Sequence, residues 1–209
     1  MKVETYKLSS RAIEILDNKE FFKPFQENDF EVVLDSGDKI LTVTYAISSV
    51  EIELLFKEII SKFSKGRSLK QVSEINFREV ESFLRDENHL PAFTEQSFQE
   101  LTELLKELKL SLITSSLYSK NPLFKELSEA LFMSWQHYTL VEKNQWAQKL
   151  LGEIQKDLRL NWEFLWCDES SLTIKSRAEQ ASELAPETFL IKLLGGSKKL
   201  LPIKVVAVQ

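Results

Sequence analysis

Hydrophobic residues recur along the chain with two different periods, and the change of period predicts an α+β protein. Residues 10–18 carry apolar side chains at helical spacing, which predicts a short helix. Residues 30–34 and 39–47 are instead rich in β-branched side chains, and the turn sequence Asp-Ser-Gly-Asp at 35–38 separates them. These two segments therefore predict a β-hairpin.

Three amphipathic helices are predicted after the hairpin. The first begins at a capping box of Ser48 and Glu51 and ends at Gly66. The second begins at Asn76, and the third begins near Thr94. Their apolar stripes consist of Ile52, Leu55, Phe56, Ile59 and Phe63, then Val80, Phe83 and Leu84, and then Phe98, Leu101, Leu104, Leu105 and Leu108.

The second half of the sequence predicts two helices followed by two β-hairpins. One helix opens at Asn121 and Pro122, and the next opens at a capping box of Thr139 and Glu142. The predicted hairpins pair residues 161–166 with 172–176, and residues 189–194 with 200–208 across the turn Gly195-Gly196.

Element order places the division between the two halves in a Ser/Thr-rich connector at residues 112–120. With 5 Gly and 5 Pro among 209 residues, the sequence contains no Gly/Ser-rich or Pro-rich linker. Domains of about 100–150 residues are commonest, so the length favours two units. We expect an α+β unit at 1–112, with a small sheet packed by three to four helices, and a second small α+β unit at 113–209.

The charge of the chain limits its partners. The formal net charge is -5, whereas nucleic acids and anionic membrane surfaces favour clustered Lys and Arg. The densest basic cluster, Lys62, Lys65, Arg67 and Lys70, surrounds a predicted helix end, where cations meet the negative end of the helix dipole. We expect neither nucleic acid nor membrane as a partner.

Cysteine content and hydropathy favour the cytoplasm. Cys167 is the only cysteine, so neither an internal disulfide nor a Cys-only metal site can form within one chain. Residues 1–10 contain no signal-peptide hydrophobic region, and no apolar run approaches the ~20 residues of a membrane span. We therefore expect a soluble protein of the cytoplasm.

Three short segments of the first half resemble the NifU/IscU family of iron–sulfur cluster scaffolds. Residues 37–45 are GDKILTVTY, residues 65–69 are KGRSL, and residues 90–92 are LPA. In that family a Gly-containing turn leads into a strand, a helix ends at a Gly-Lys-Thr/Ser-Leu motif, and a later Pro precedes a cysteine. Residues 6–29 also resemble the family's N-terminal segment weakly, and nothing after about residue 112 does.

The resemblance implies a scaffold that has lost its cluster ligands. Its register puts Val50 and Gln96 where two ligand cysteines belong. Ser36 precedes Gly37 and Asp38 as the third cysteine would, but that register deletes a strand, so residues 36–38 are interpreted as the hairpin turn. We expect no cofactor and a protein partner, with the iron–sulfur assembly machinery as the candidate.

Few other side chains predict a site. His89 with Asp86 and Glu87 could contribute to a metal site, but a polar loop at a helix end explains them better. His137 is expected to pack or cap its helix, and Cys167 to be a small buried residue. The linear motifs of nucleotide-binding loops, serine hydrolases and zinc proteases are absent from the sequence.

Aromatic residues alternate along one predicted strand. Trp162, Phe164 and Trp166 would share one face of the sheet, and such a stripe more often packs against helices than binds a ligand. Trp135 and Trp146 are the expected neighbours of this stripe.

Three functions are compatible with the sequence. The leading hypothesis is a non-catalytic binding or assembly protein with a cysteine-less scaffold-like domain. One alternative is an enzyme with a site between the two halves, built from scattered Asp, Glu, Lys or His. The other is a homo-oligomer whose interface is the aromatic strand or the Leu-rich helix at 98–108; the sequence does not fix the oligomeric state.

Overall fold

A computed structural model describes most of the chain: residues 8–23, 30–46, 48, 50–87, 89–94, 97–158, 160, 162–176, 185–195 and 204–208. The described residues form eight α-helices and five strands, which confirms the α+β class. The chain divides into two compact units, unit 1 at Met1–Ser115 and unit 2 at Ser116–Gln209. None of the described helices combines the length and apolar character that a bilayer crossing requires.

Unit 1 is built on the predicted hairpin. β1 pairs antiparallel with β2, so that Val32 lies opposite Val43 and both face the core. Helix α2 packs against β2, and four residues of its predicted stripe are buried, whereas Phe63 is half-buried. The elements of this half are α1 (Ser10–Asp17), β1 (Phe30–Leu34), β2 (Ile40–Tyr45), α2 (Glu51–Ser64), α3 (Leu69–Ser73), α4 (Phe77–Leu84) and α5 (Phe98–Lys120).

Helix α2 differs from the prediction at its start. The N-cap is Val50, which has no capping side chain, so the predicted capping box of Ser48 and Glu51 is wrong. Ser48 lies two residues before the N-cap; its hydroxyl accepts from the Val50 N–H (3.2 Å) and donates to Glu53 (2.7 Å). At the other end Gly66 has φ +77°, a conformation that disfavours other residues, and the predicted stop is confirmed.

The short helix α3 was not predicted. Ser68 and Gln71 form a complete capping box at its start, and Leu69 and Val72 are its buried residues. Five residues are too few for a hydrophobic period to show in the sequence. The S-x-x-Q spacing of the capping box was the available signal.

Helix α5 corrects two predictions. It is assigned from Phe98 rather than from near Thr94, and it continues to Lys120 through the predicted connector at 112–120. Leu112 and Leu117 are fully buried, so apolar burial extends the helix. The Thr114 hydroxyl donates to backbone carbonyls one turn earlier, which satisfies a polar group that otherwise favours a loop.

Unit 2 contains one hairpin and one parallel strand. β3 pairs antiparallel with β4, as predicted, and β5 pairs parallel with β4. The elements that follow α5 are α6 (Leu123–Ser134), a 3₁₀ turn (Trp135–His137), α7 (Leu140–Leu158), β3 (Trp162–Cys167), β4 (Ser171–Ser176), α8 (Pro186–Gly195) and β5 (Lys204–Val208).

The predicted second hairpin is wrong. The segment expected to be its first strand lies in helix α8, where Phe189, Leu190, Leu193 and Leu194 are buried at helical spacing. Pro186 is the first residue of α8, a position that tolerates proline. Because parallel strands need a crossover connection, usually a helix, α8 precedes β5. Gly195 ends the helix, and Gly196 lies outside the described residues.

The predicted aromatic stripe of β3 is interrupted. A register shift between Phe164 and Trp166 leaves Trp162 buried and Trp166 51% exposed. A bulge of this kind inserts a residue and turns the following side chain to the other face. Trp162 packs edge-on against Phe189, with ring centroids 5.5 Å apart, so a different neighbour from those predicted covers it.

The two remaining tryptophans pack on each other. The ring centroids of Trp135 and Trp146 are 5.3 Å apart in an edge-to-face arrangement, a favourable geometry for aromatic pairs. The Trp146 indole donates to the Leu127 carbonyl at 3.0 Å, and the Trp135 indole donates to the Glu169 carbonyl at 3.2 Å. Trp135 thus fixes the turn between β3 and β4.

Candidate functional site

Val50 occupies the junction between strand β2 and helix α2. It is the N-cap of the helix, and its side chain is part-buried. An isopropyl group offers no atom that can coordinate iron or zinc. Gln96, the other position matched to a family cysteine, lies outside the described residues.

A buried carboxylate joins three segments close to this junction. Glu58, on α2, is 3% exposed and accepts the Tyr45 hydroxyl at 2.7 Å. It also accepts the backbone N–H groups of Glu20 (2.8 Å) and Phe21 (3.4 Å). Burial and the hydrogen bond to Glu58 raise the pKa of Tyr45 well above its usual range. Glu58 therefore ties the chain after α1 to β2 and α2.

A buried lysine lies next to Glu58 in the sequence. Lys57 is 2% exposed, and its ammonium group pairs with Glu53 at 2.9 Å. The Ala46 carbonyl oxygen lies 3.5 Å from the same group, and Glu53 also accepts the Ser48 hydroxyl. Buried charges need such partners to offset desolvation. The charges at this junction are committed to neighbouring groups, which suits a structural role better than proton transfer.

A second buried carboxylate holds the loop that carries the predicted metal candidates. Glu81 of α4 is buried and accepts the Arg85 guanidinium through both oxygens and the Ala92 N–H at 2.8 Å. Burial raises the pKa of Glu81, but the hydrogen bonds from Arg85 and Ala92 outweigh it and leave the pKa lowered. Glu81 therefore fixes both ends of the loop after α4.

The structure separates the roles of Asp86, Glu87 and His89. Asp86 accepts the N–H groups of Ser10 and Arg11, each at 2.9 Å, and these bonds lower its pKa. It therefore caps helix α1. His89 contacts Glu87 at 3.2 Å, but the two side chains are 78% and 59% exposed. Within the described ranges, no cluster of three His, Cys, Asp or Glu could hold a metal ion.

The candidates of unit 2 lie in structural positions. His137 is exposed at the end of the 3₁₀ turn. Cys167 is buried, and burial raises its pKa to about 11, which keeps the thiol protonated at neutral pH. The Asn144 amide accepts the Cys167 N–H (3.1 Å) and donates to its carbonyl (2.8 Å). The interpretation of Cys167 as a buried structural residue is confirmed.

Three cations lie against a pair of phenylalanines in unit 1, a grouping that the sequence pattern does not predict. Phe63 and Phe83 pack edge-on with centroids 5.2 Å apart. Arg11 lies 4.4 Å and Lys62 5.6 Å from the centroid of Phe83, and Arg67 lies 5.8 Å from that of Phe63. We call these five residues the cation–aromatic surface.

Separate parts of unit 1 contribute to the cation–aromatic surface. Arg11 comes from α1, Lys62 and Phe63 from the last turn of α2, and Phe83 from α4. From the sequence, Lys62 and Arg67 are expected at a helix end, and Phe63 and Phe83 are expected in apolar stripes. The half-buried state of the two rings, which leaves part of each for a cation, becomes apparent only in the fold.

Comparison with known proteins gives no family assignment. The chain matches no protein-family model, and no curated protein matches it.

Proposed function

We propose that the protein is a non-catalytic binding protein whose unit 1 is related to the NifU/IscU scaffolds and has lost the cluster ligands. The order of elements supports this proposal. A hairpin leads into α2, the helix ends at Gly66 in a left-handed conformation, and Ser68 caps the next helix. Gly37 and Gly66, the two glycines of the resemblance, thus lie in the hairpin turn and at the end of α2.

The observation that carries the proposal is the environment of Val50. Val50 is the N-cap of α2, where the resemblance would put the helix-opening ligand cysteine, yet its side chain is aliphatic. Cluster binding requires thiolate or imidazole donors. The nearby charges of Lys57 and Glu58 are buried and hydrogen-bonded, so they stabilise the junction without offering a replacement ligand.

Anaerobic reconstitution tests the loss of cluster binding. The full chain is incubated with ferrous iron and sulfide, desalted, and analysed by absorption spectroscopy and iron determination. We expect no charge-transfer bands and an iron content far below one cluster per chain. A Cys167→Ser variant is the matched control, because it removes the only thiol and should give the same spectrum. A stoichiometric cluster in the wild-type chain would overturn the proposal.

We further propose that the partner belongs to the iron–sulfur assembly machinery, with a cysteine desulfurase as the first candidate. A protein that retains the scaffold surface without the cluster can occupy the docking site of a scaffold. Size-exclusion chromatography with light scattering of the full chain mixed with a purified cysteine desulfurase tests this. We expect a complex of summed mass; elution of two separate species at micromolar concentrations would refute this partner.

A further inference from the structure

We infer that the cation–aromatic surface docks an acidic segment of a protein partner. This inference rests on the proposed function to the extent that it assigns a surface to protein binding. Its own basis is the geometry of Arg11, Lys62 and Arg67 around the rings of Phe63 and Phe83. Each cation is held over a ring, so its position is set before a partner arrives.

The clustering of these cations is unusual. Cation–π pairs occur about once per 70–80 residues, which would distribute them along a chain of this length. Here three pairs converge on two neighbouring rings, and two cations share the ring of Phe83. The charges of Arg11 and Lys62 consequently lie within about 10 Å of each other, close enough for one acidic segment to contact both.

The acidic groups around this surface do not fully balance the cations. Arg67 pairs with Glu79 at 3.0 Å. Asp86 lies near Arg11, but its oxygens accept backbone N–H groups of α1. Among the residues that the structure describes, no carboxylate pairs with the side chain of Arg11 or Lys62. An incoming carboxylate would therefore pair with Arg11 or Lys62 without displacing an ion pair between described residues.

The chemistry of the surface favours an acidic peptide over a nucleic acid. The chain carries a net charge of -5, which repels a long nucleic acid more strongly than a short acidic segment, because the repulsion grows with the charge of the ligand. Nucleic-acid binding also requires many phosphate contacts, and this surface offers three cations. A carboxylate forms paired hydrogen bonds with a guanidinium group. The three cations of this surface are therefore enough for a few acidic side chains to bind. Electrostatic complementarity of this scale gives specificity more than affinity.

The test measures binding of a fluorescein-labelled poly-glutamate peptide to the full chain by fluorescence anisotropy. The double variant R11Q/K62Q removes the two cations on Phe83. K23Q/K125Q is the matched control, because it removes the same charge from exposed lysines that pair with Glu31 and Glu129. Circular dichroism verifies that both variants fold.

We expect saturable binding that weakens about tenfold in R11Q/K62Q, the equivalent of about 1.4 kcal/mol, and that changes little in K23Q/K125Q. A Phe83→Leu variant keeps both charges but loses the ring, and it should lie between wild type and R11Q/K62Q. Equal weakening in the two double variants, or absence of wild-type binding at low salt, would overturn the inference. Tighter binding of a poly-uridine RNA than of the peptide would also overturn it.

Desulfurase binding separates failure of this inference from failure of the proposed function. If the wild type and R11Q/K62Q bind the desulfurase equally and neither binds the peptide, the inference fails and the function stands. If the peptide binds through Arg11 and Lys62 and the desulfurase does not bind, the surface stands and the proposed partner fails.

Discussion

The two units differ in the side-chain contacts that stabilise each of them internally. In unit 1 buried carboxylates bridge separate segments: Glu58 reaches Glu20 and Phe21, far earlier in the sequence, and Glu81 reaches Ala92 across the loop after α4. In unit 2 neutral side chains do much of the corresponding work, beside an ion pair of Lys120 with Asp157. The indoles of Trp135 and Trp146 and the amide of Asn144 donate to backbone carbonyls.

A buried charge and a buried neutral group affect the stability of a unit differently. A buried carboxylate with several donors fixes loops firmly, but it makes stability depend on protonation and on every donor being present. Indole and amide groups do not titrate near neutral pH. Unit 1 should therefore respond to substitution of its buried carboxylates and, through the lowered pKa values of Glu81 and Asp86, to acid. The neutral contacts of unit 2 should respond to changes in packing volume.

The largest expected effect is that of Glu58→Ala. The substitution leaves the buried Tyr45 hydroxyl without its acceptor, which costs about 1–3 kcal/mol, and it removes the bonds from two part-buried backbone N–H groups, where a hydrogen bond to a charged group contributes about 1.5–3 kcal/mol. We expect a loss of at least about 3 kcal/mol in the free energy of unfolding, measured by urea denaturation. Hydrogen exchange should show the lost protection in α1 and α2.

Tyr45→Phe is the matched control for Glu58→Ala. It removes one donor and keeps the ring, so the loss should be about 1.5–3 kcal/mol and smaller than that of Glu58→Ala. Equal losses in the two variants would show that Glu58 does not hold the segment after α1.

Unit 2 provides the contrasting substitution, Trp146→Phe. It removes the hydrogen bond to the Leu127 carbonyl and part of the contact with Trp135, and we expect a loss of about 2 kcal/mol from the reduced packing and the lost hydrogen bond. All four tryptophans lie in unit 2, so fluorescence reports its unfolding. The loss in the free energy of unfolding should be the same at pH 5 and pH 7. A marked pH dependence would contradict the assignment of neutral contacts to this part of unit 2.

Lys109, in unit 1, should make stability depend on pH in the alkaline range. Its ammonium group donates to the carbonyls of Ser73 (2.9 Å) and Ile75 (2.6 Å). Burial and the repulsion of Lys106 lower its pKa to about 8, against an opposing effect of Glu79. Because the unfolded chain binds this proton more tightly, the contribution of Lys109 to stability rises as the pH increases from about 8 toward its ordinary value of 10.5. The neutral amine still has donors for both carbonyls.

The Lys109→Met variant tests this pH dependence. We expect a loss of about 1 kcal/mol at pH 7 from two unpaired carbonyls, with a larger loss at pH 9.5. Urea denaturation at the two pH values provides the measurement, and Lys125→Met, at a lysine whose side chain is 75% exposed, is the control. A loss that shrinks above pH 8 would contradict the assignment.

The smallest effect is expected for Asp86→Asn. Hydrogen bonds from Ser10 and Arg11 lower the pKa of Asp86 from 3.8, so its contribution is present above that value and is lost as the pH falls through the lowered pKa. Amide protection of α1 in wild type should therefore decrease below about pH 4, and the variant should show a flatter profile. Identical profiles would refute the capping role.

Much of the fold follows from local patterns in the sequence. The hairpin β1–β2, the stop at Gly66 and the caps at Asn76 and Thr139 depend on neighbouring residues, and all were predicted correctly. The errors arise where tertiary burial overrides local preference. Apolar burial carries α5 through a Ser/Thr-rich segment, and the Phe189–Leu194 run is helical although its composition also suits a strand.

The candidate site was less predictable for the same reason. Asp86 was assigned to a loop, but its partners lie about 75 residues earlier in α1. The buried Lys57 and Glu58 fall within an otherwise regular amphipathic helix, where their types indicate solvent exposure. The cations over Phe83 come from helices that are distant in sequence. Side-chain pairs of this kind require the fold before they can be recognised.

The proposal that unit 1 binds a protein partner through the cation–aromatic surface is tested by hydrogen exchange of the full chain with and without a cysteine desulfurase, which reports both binding and its location. We expect slower exchange in peptides that contain Arg11, Lys62 and Phe83, and unchanged exchange in α6, α7 and β3 of unit 2. Protection confined to unit 2, or no change at saturating desulfurase, would contradict it.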